Sequence, residues 1–233
     1  MQLSFPYLST IVLLPVVGAI IIALLGNSRP KAVKYLAAIF TLIPLVLAVA
    51  LFVSFSKSSV GVIQFEEKLS WITPLNAFYH LGVDGLSLPL VILTAFLGFM
   101  VVLISWKEHL RVGQYFAWLL LLETSILGVF SSLDLLLFFV FWEIEIIPMY
   151  FLISIWGSGR KEYSAMKYVI YTLLGSAFML AGILSLYLTT GSLDMVELSR
   201  QGLGIVPTIM PAAAMFFLMI IGFAIKLPVV PFH

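Results

Sequence analysis

Four ionisable side chains stand in long apolar runs: Glu123, Glu143, Glu145 and Lys226. A charge at the centre of a bilayer costs about 2.5–3.5 kcal/mol on insertion scales. Four such charges, all unpaired, would cost on the order of 10 kcal/mol. They are therefore expected to face a protein interior, to pair, or to be partly neutralised. A glutamate beside a lysine with access to water can act as a proton switch, because protonating or separating either partner releases the other. Lysine adapts readily to such burial. Proline marks the same places. Pro148 removes a hydrogen bond to the carbonyl of Ile144, between two of the glutamates. Pro228 and Pro231 follow Lys226 and free the carbonyls of Ala224 and Leu227. Freed carbonyls within a membrane are tolerated where they line protein or water. A broken helix beside a buried lysine is an arrangement of transport sites.

Spacing ranks these residues. Glu143 and Glu145 are two apart, roughly 200° around a helix, so they cannot both face one partner. One of them is expected to address a different cavity or a neighbouring subunit. Glu143 and Lys226 form the leading pair; Glu123, Glu145 and His233 form a second tier. His233 has the chemistry of a proton relay. His80 and His109 read as interfacial residues. Plainer roles stand beside these: Glu123 as a structural hydrogen-bonder, Glu145 as a subunit contact. There is no cysteine, which excludes disulfides, thiolate metal sites and iron–sulfur ligation. No metal-ligand cluster or phosphate-binding glycine loop is legible, and no two histidines lie within spans to hold a haem.

The elements that must position these side chains follow from composition. The residues are 62% hydrophobic and 10% charged, with mean hydropathy +1.16, against about 25% charged in a soluble domain. Lipid is the solvent for most of such a chain. A net charge of +1 argues against nucleic acid as a partner. Runs of roughly 20 apolar residues predict an all-α, polytopic transmembrane helix bundle of about seven spans: Leu8–Leu25, Val33–Phe55, Leu86–Trp106, Gly113–Phe130, Asp134–Trp156, Ala165–Thr190 and Thr208–Phe232. The last is expected to be broken near Lys226. The first is read as a span and not a signal peptide, since no basic segment precedes it and no small-residue cleavage site follows. Asp84 is expected to cap the third span. Trp71 and Tyr79, in the long loop from Ser56 to Gly85, read as interfacial anchors.

Basic residues set the orientation. Arg29, Lys31, Lys34, Lys107, Arg111, Arg160, Lys161 and Lys167 follow spans one, three and five, whereas Lys57, Lys68 and Arg200 follow spans two, four and six. The positive-inside rule then puts the N-terminus outside. The turn at Ser131–Leu133 is short, so spans four and five are antiparallel neighbours. Glu123 and Glu143 each lie roughly 10–14 Å from that turn, at similar depth near the midplane, where groups of this kind exchange protons.

Asp134-Leu-Leu-Leu-Phe-Phe-Val-Phe-Trp-Glu143-Ile-Glu145-Ile-Ile-Pro148-Met-Tyr and Gly222-Phe-Ala-Ile-Lys226-Leu-Pro228-Val-Val-Pro231-Phe-His233 resemble the fifth and seventh helices of the antiporter-like subunits of complex I. Gly82-Val-Asp84-Gly-Leu-Ser-Leu-Pro89 and Tyr163-Ser-Ala-Met-Lys167-Tyr fit the same pattern. The resemblance covers essentially the whole chain and is closest to the subunit 4, or M, type. The Trp-Glu-Ile-Glu pair is similar to the D subunit of the photosynthetic, ferredoxin-linked version. It implies a proton channel driven remotely by quinone reduction, with Glu143 and Lys226 controlling input to a polar axis along the membrane. It also implies a chain without a redox centre, serving as a subunit of a proton-pumping NADH:quinone or ferredoxin:plastoquinone oxidoreductase. Quinone, iron–sulfur clusters and NADH or ferredoxin would then belong to partner subunits of the membrane arm and beyond. The site of action would be a bacterial plasma membrane or thylakoid, ahead of the mitochondrial inner membrane.

Related Mrp-type Na+/H+ antiporter complexes share the motifs and remain an alternative, as does a non-pumping scaffold fragment. The implied plan is one integral membrane domain over residues 1–233, with 8–106 as peripheral spans and 113–233 as the first part of the antiporter-like repeat. The family pattern continues beyond His233 into an eighth helix, with its central lysine, connecting histidines and distal charge. The rest is expected as a separate polypeptide or as the lost part of a truncated chain, and this chain is not expected to pump alone.

Overall fold

A computed structural model describes residues 5–55, 62–201 and 210–231. Within them, six helical stretches are long and apolar enough to cross a membrane. They are carried by α1 (Tyr7–Leu25), α2 (Pro30–Ser54), α3 (Ser87–Ile104), α4 (Val112–Ser131), a pair formed by α5 (Leu135–Ile144) and α6 (Ile146–Trp156), and α7 (Lys161–Thr190). After the short α8 (Met195–Gln201) comes the apolar α9 (Ala212–Lys226). At 15 residues, α9 is shorter than the roughly 20 needed to span the hydrocarbon. Of the expected seventh span, the described residues form a helix over Ala212–Lys226 that stops at Lys226, where the break is expected; Thr208 and Phe232 lie outside the described residues. The fold is an all-α polytopic membrane bundle with one addition.

That addition is an antiparallel hairpin, β1 (Gln64–Ile72) and β2 (Ala77–Val83), where the sequence reads as a long loop. Asn76 turns the chain with φ 47°, a left-handed conformation that asparagine tolerates. Glu67 on β1 reaches the start of α1, where helical N–H groups lack partners. Its carboxylate accepts from the N–H of Leu8 at 2.7 Å, from that of Ser9 at 3.0 Å, and from the Ser9 hydroxyl. Tyr79 donates to Ser9 Oγ at 3.1 Å, so it packs on α1 instead of serving only as an interfacial anchor. Asp84 takes the N–H groups of Leu86 and Ser87 at 3.0 and 2.7 Å, as expected of a cap for α3.

The hairpin is stitched to two interhelical turns. Asp134 is fully buried; its Oδ1 accepts from Leu136 and Leu137 N–H, capping α5, while Oδ2 accepts from Phe78 N–H at 3.0 Å. Leu133 N–H donates to the carbonyl of His80, and Met195 N–H to that of Leu133. The α4–α5 turn, the hairpin and the α7–α8 turn thereby close one end of the bundle.

Two apolar clusters join α1, α2, α3 and α4, and the one nearer the hairpin reaches α5. A third joins Trp142, Met179 and Ile183 with partly buried Met219 and Phe223, tying α5, α7 and α9 together. The opposite faces present Leu24, Val53, Leu97 and Leu188 outward, the surface of a bundle dissolved in lipid.

Candidate proton-transfer site

Lys226, the last residue of α9, reaches the break between α5 and α6. Its Nζ lies 2.9 Å from Glu145 Oε2 and donates to the Trp142 carbonyl at 2.8 Å. The same ammonium sits 3.9 Å above the centre of the Trp142 ring, a cation–π contact. The lysine side chain is 12% exposed and that of Glu145 21%. Three features of the chain put the lysine there. Pro148 cannot donate a helical hydrogen bond, and the helix is interrupted at Glu145, one turn earlier. Proline after Lys226 stops α9; the Ala224 carbonyl that Pro228 leaves free accepts instead from Val229 N–H at 2.9 Å. Small residues then bring α9 close to α7, as membrane helices pack. A side chain on Gly222 would meet Met179 Cβ at 2.7 Å and the Gly175 carbonyl at 3.0 Å.

This last contact yields a prediction. Gly222→Ala is expected to push α9 off α7 and cost about 1–3 kcal/mol, as overpacking does. Thermal unfolding in detergent reads it, and an unchanged midpoint would show that α9 is not seated on α7 in this way.

The pairing differs from the expectation that Glu143 holds Lys226. Glu145 holds it. Glu143 Oε1 is buried and has no hydrogen-bond partner. Both glutamates lie within electrostatic reach of Lys226 and of Tyr168 on α7. Glu145 keeps helical dihedrals, φ −58° and ψ −30°; it takes the ion pair, and Glu143 acts on the lysine through its charge. Which of the two makes the contact depends on where α9 lies, which spacing along one helix cannot tell. Trp142 and Tyr168 were not singled out from sequence. Trp142 stands in the same run as the glutamates, one residue before Glu143, which is the signal that could have found it.

Glu123 goes elsewhere. It is 4% exposed, both its carboxylate oxygens lack partners, and it packs against Gly98 of α3, not against the Lys226 site. Pro148 is buried behind the break, whereas Pro228 and Pro231 are exposed. His233 lies outside the described residues. His80, read as interfacial, is buried at 1% exposure. Its Nδ1 faces Asp194 Oδ2 at 3.1 Å and its Nε2 faces Glu66 Oε1 at 2.9 Å. A neutral imidazole could donate to only one of them. Asp194 also takes Lys68 Nζ at 2.6 Å.

Comparison with known proteins agrees with this architecture. Residues 132–233 match the family model described as NADH:quinone oxidoreductase/Mrp antiporter, TM. NAD(P)H-quinone oxidoreductase chain 4 1 of Microcystis aeruginosa is 33% identical over 99% of this chain and 43% of its own length. The chloroplast chain 4 of Angiopteris evecta is 35% identical over 99% of this chain and 46% of its own. The chain thus spans a little under half the length of these relatives. Among solved structures, a subunit of respiratory complex I from Thermus thermophilus superposes with a TM-score of 0.79 at 26% identity, over 97% of this chain and 45% of that one. A subunit of the Mrp complex from Dietzia shares the fold, with a TM-score of 0.75 at 19% identity over 93% of this chain and 23% of its own. From the α4–α5 turn through α9, the chain is thus similar to the family described as NADH:quinone oxidoreductase/Mrp antiporter, TM.

Proposed function

We propose that this chain is a proton-translocating membrane-arm subunit of an NADH-dehydrogenase-like complex, coupled to quinone reduction that occurs elsewhere in that complex. The observation that carries the reading is a lysine at a helix break, ion-paired to Glu145, with the buried, unpartnered Glu143 Oε1 within reach. Lys226 pairs with one carboxylate at a time. When it moves to Glu143, Glu145 loses its counter-charge and takes a proton; the return step releases that proton. The Trp142 carbonyl and ring hold the ammonium at the turn between the two positions. Quinone, iron–sulfur clusters and NADH or ferredoxin sit in partner subunits, and the basic loops face the bacterial cytoplasm or thylakoid stroma. The chain 4 relatives, similar along the whole of this chain, favour this reading over an Mrp-type antiporter subunit.

Affinity purification of the chain from its own membranes tests the assignment. The expected result is an assembly that contains iron–sulfur proteins and reduces quinone. Recovery with antiporter subunits alone, without iron–sulfur protein, would overturn it in favour of the Mrp reading.

A further inference from the structure

The crevice between α3 and α4 holds the one intramembrane glutamate that the Lys226 site does not use. It has a volume of about 340 Å³. Leu93, Leu97 and Val101 line it from α3, and Leu122, Ile126 and Phe130 from α4. Glu123 enters it from α4, and its carboxylate fills the space that Gly98 leaves. A Cβ on Gly98 would stand 2.6 Å from the carboxyl carbon and 2.8 Å from each oxygen. Among the described residues no group donates a hydrogen bond to either oxygen. The other polar side chain of the lining, Thr94, has its hydroxyl hydrogen engaged with the Leu90 carbonyl at 2.8 Å. What remains on its oxygen is acceptor capacity. An ionised Glu123 therefore gives the crevice acceptors with nothing to donate to them, and leaves a buried charge without a counter-charge.

We propose that this crevice binds a lipophilic primary amine, its chain along Leu93 and Leu97 and its ammonium on Glu123, whose carboxylate, covered against Gly98 in this structure, turns toward the crevice to meet it. An ammonium offers three hydrogens where a hydroxyl offers one, and it supplies the counter-charge that an intramembrane carboxylate requires. Leu93 and Leu97 are each about half exposed, so the entrance is open to the bilayer. Depth narrows the source. Glu123 is the twelfth of the 20 residues of α4, roughly 12–17 Å from either end of the helix. A phospholipid amine is tethered at the membrane surface, whereas a free long-chain amine can enter the hydrocarbon. The inference is independent of the proton-transfer reading, since it concerns the opposite side of α4.

The test uses the chain in the assembly it purifies with, reconstituted in phosphatidylcholine nanodiscs. The probes are dodecylamine, dodecanol and a dodecanoate methyl ester, each bearing a diazirine, with labelled peptides identified by mass spectrometry. The amine is expected to label residues 87–104 and 112–131 at least about tenfold more than the ester, with the alcohol between them. Glu123→Leu is expected to reduce amine labelling to the ester's level. That variant replaces an unpartnered polar group with an apolar one and is expected to fold. Equal labelling by amine and ester, or unchanged labelling in Glu123→Leu, would overturn the proposal. So would absence of label from both helices, which would mean that a neighbouring subunit fills the crevice. Displacement of the amine by phosphatidylethanolamine would replace the free amine with a lipid headgroup.

Discussion

Glu143→Gln and Glu145→Gln, each alone in the native assembly, are expected to lower proton translocation about a hundredfold while the chain still assembles. A positioned proton-transfer group is worth that much or more. Lys226 needs two carboxylates to switch between, and either amide leaves it permanently on the other. Assembly survives because one carboxylate still neutralises the lysine. The double variant has no such partner. Removing the counter-charge of a buried ion pair costs about 3–5 kcal/mol, so Glu143→Gln with Glu145→Gln is expected to deplete the chain from membranes. A purely structural ion pair predicts the opposite pattern. Under that reading Glu145→Gln alone destabilises, because it breaks the 2.9 Å contact, and Glu143→Gln is silent. Proton-to-electron stoichiometry in reconstituted vesicles, read beside the amount of assembled chain, separates the two. Wild-type stoichiometry in Glu143→Gln would remove it from the mechanism.

The residues at this site are legible because their cost is local. A glutamate or lysine in an apolar run announces itself whatever it touches, and a proline two or three residues after such a residue, as Pro228 after Lys226 and Pro148 after Glu145, announces a break. Which glutamate meets Lys226 is not local. It depends on the turn of chain at Glu145 and on how closely α9 lies against α7, which Gly175, 51 residues before Lys226, and Gly222, 77 residues after Glu145, decide. Glu123 shows the same division: its burial follows from its run of neighbours, but the face it takes on α4 follows from the gap at Gly98. The hairpin escaped because register shifts between Gln64 and Glu67 and between Ser70 and Ile72 interrupt the alternation of its side chains. His80 escaped because the carboxylate that buries it, Asp194, lies 114 residues away.

Asp194→Asn is expected to loosen the hairpin end of the bundle by about 2 kcal/mol at neutral pH, since charge-assisted hydrogen bonds are worth about 1.5–3 kcal/mol, discounted because Lys68 is half-exposed. Asparagine caps a helix as well as aspartate does, so the cap itself is kept. Asp194 Oδ1 accepts from the N–H of Val196 at 2.9 Å and of Glu197 at 3.2 Å at the start of α8, while Oδ2 meets Lys68 and His80. Burial alone would push the pKa of this carboxyl up. Lys68, the Glu197 N–H and His80 together outweigh burial and hold it below the ordinary value. A carboxyl so depressed binds protons more weakly folded than unfolded. Its stabilisation is therefore complete above the unfolded value, about 3.9, and is lost as pH falls through the folded value. Hydrogen exchange of the β1 and β2 amides, corrected for the intrinsic pH dependence of exchange, should show wild-type protection falling below about pH 4 and converging on that of Asp194→Asn. Parallel curves with a constant gap down to pH 2 would show that the Asp194 carboxylate does not clamp the hairpin to the α7–α8 turn through its charge.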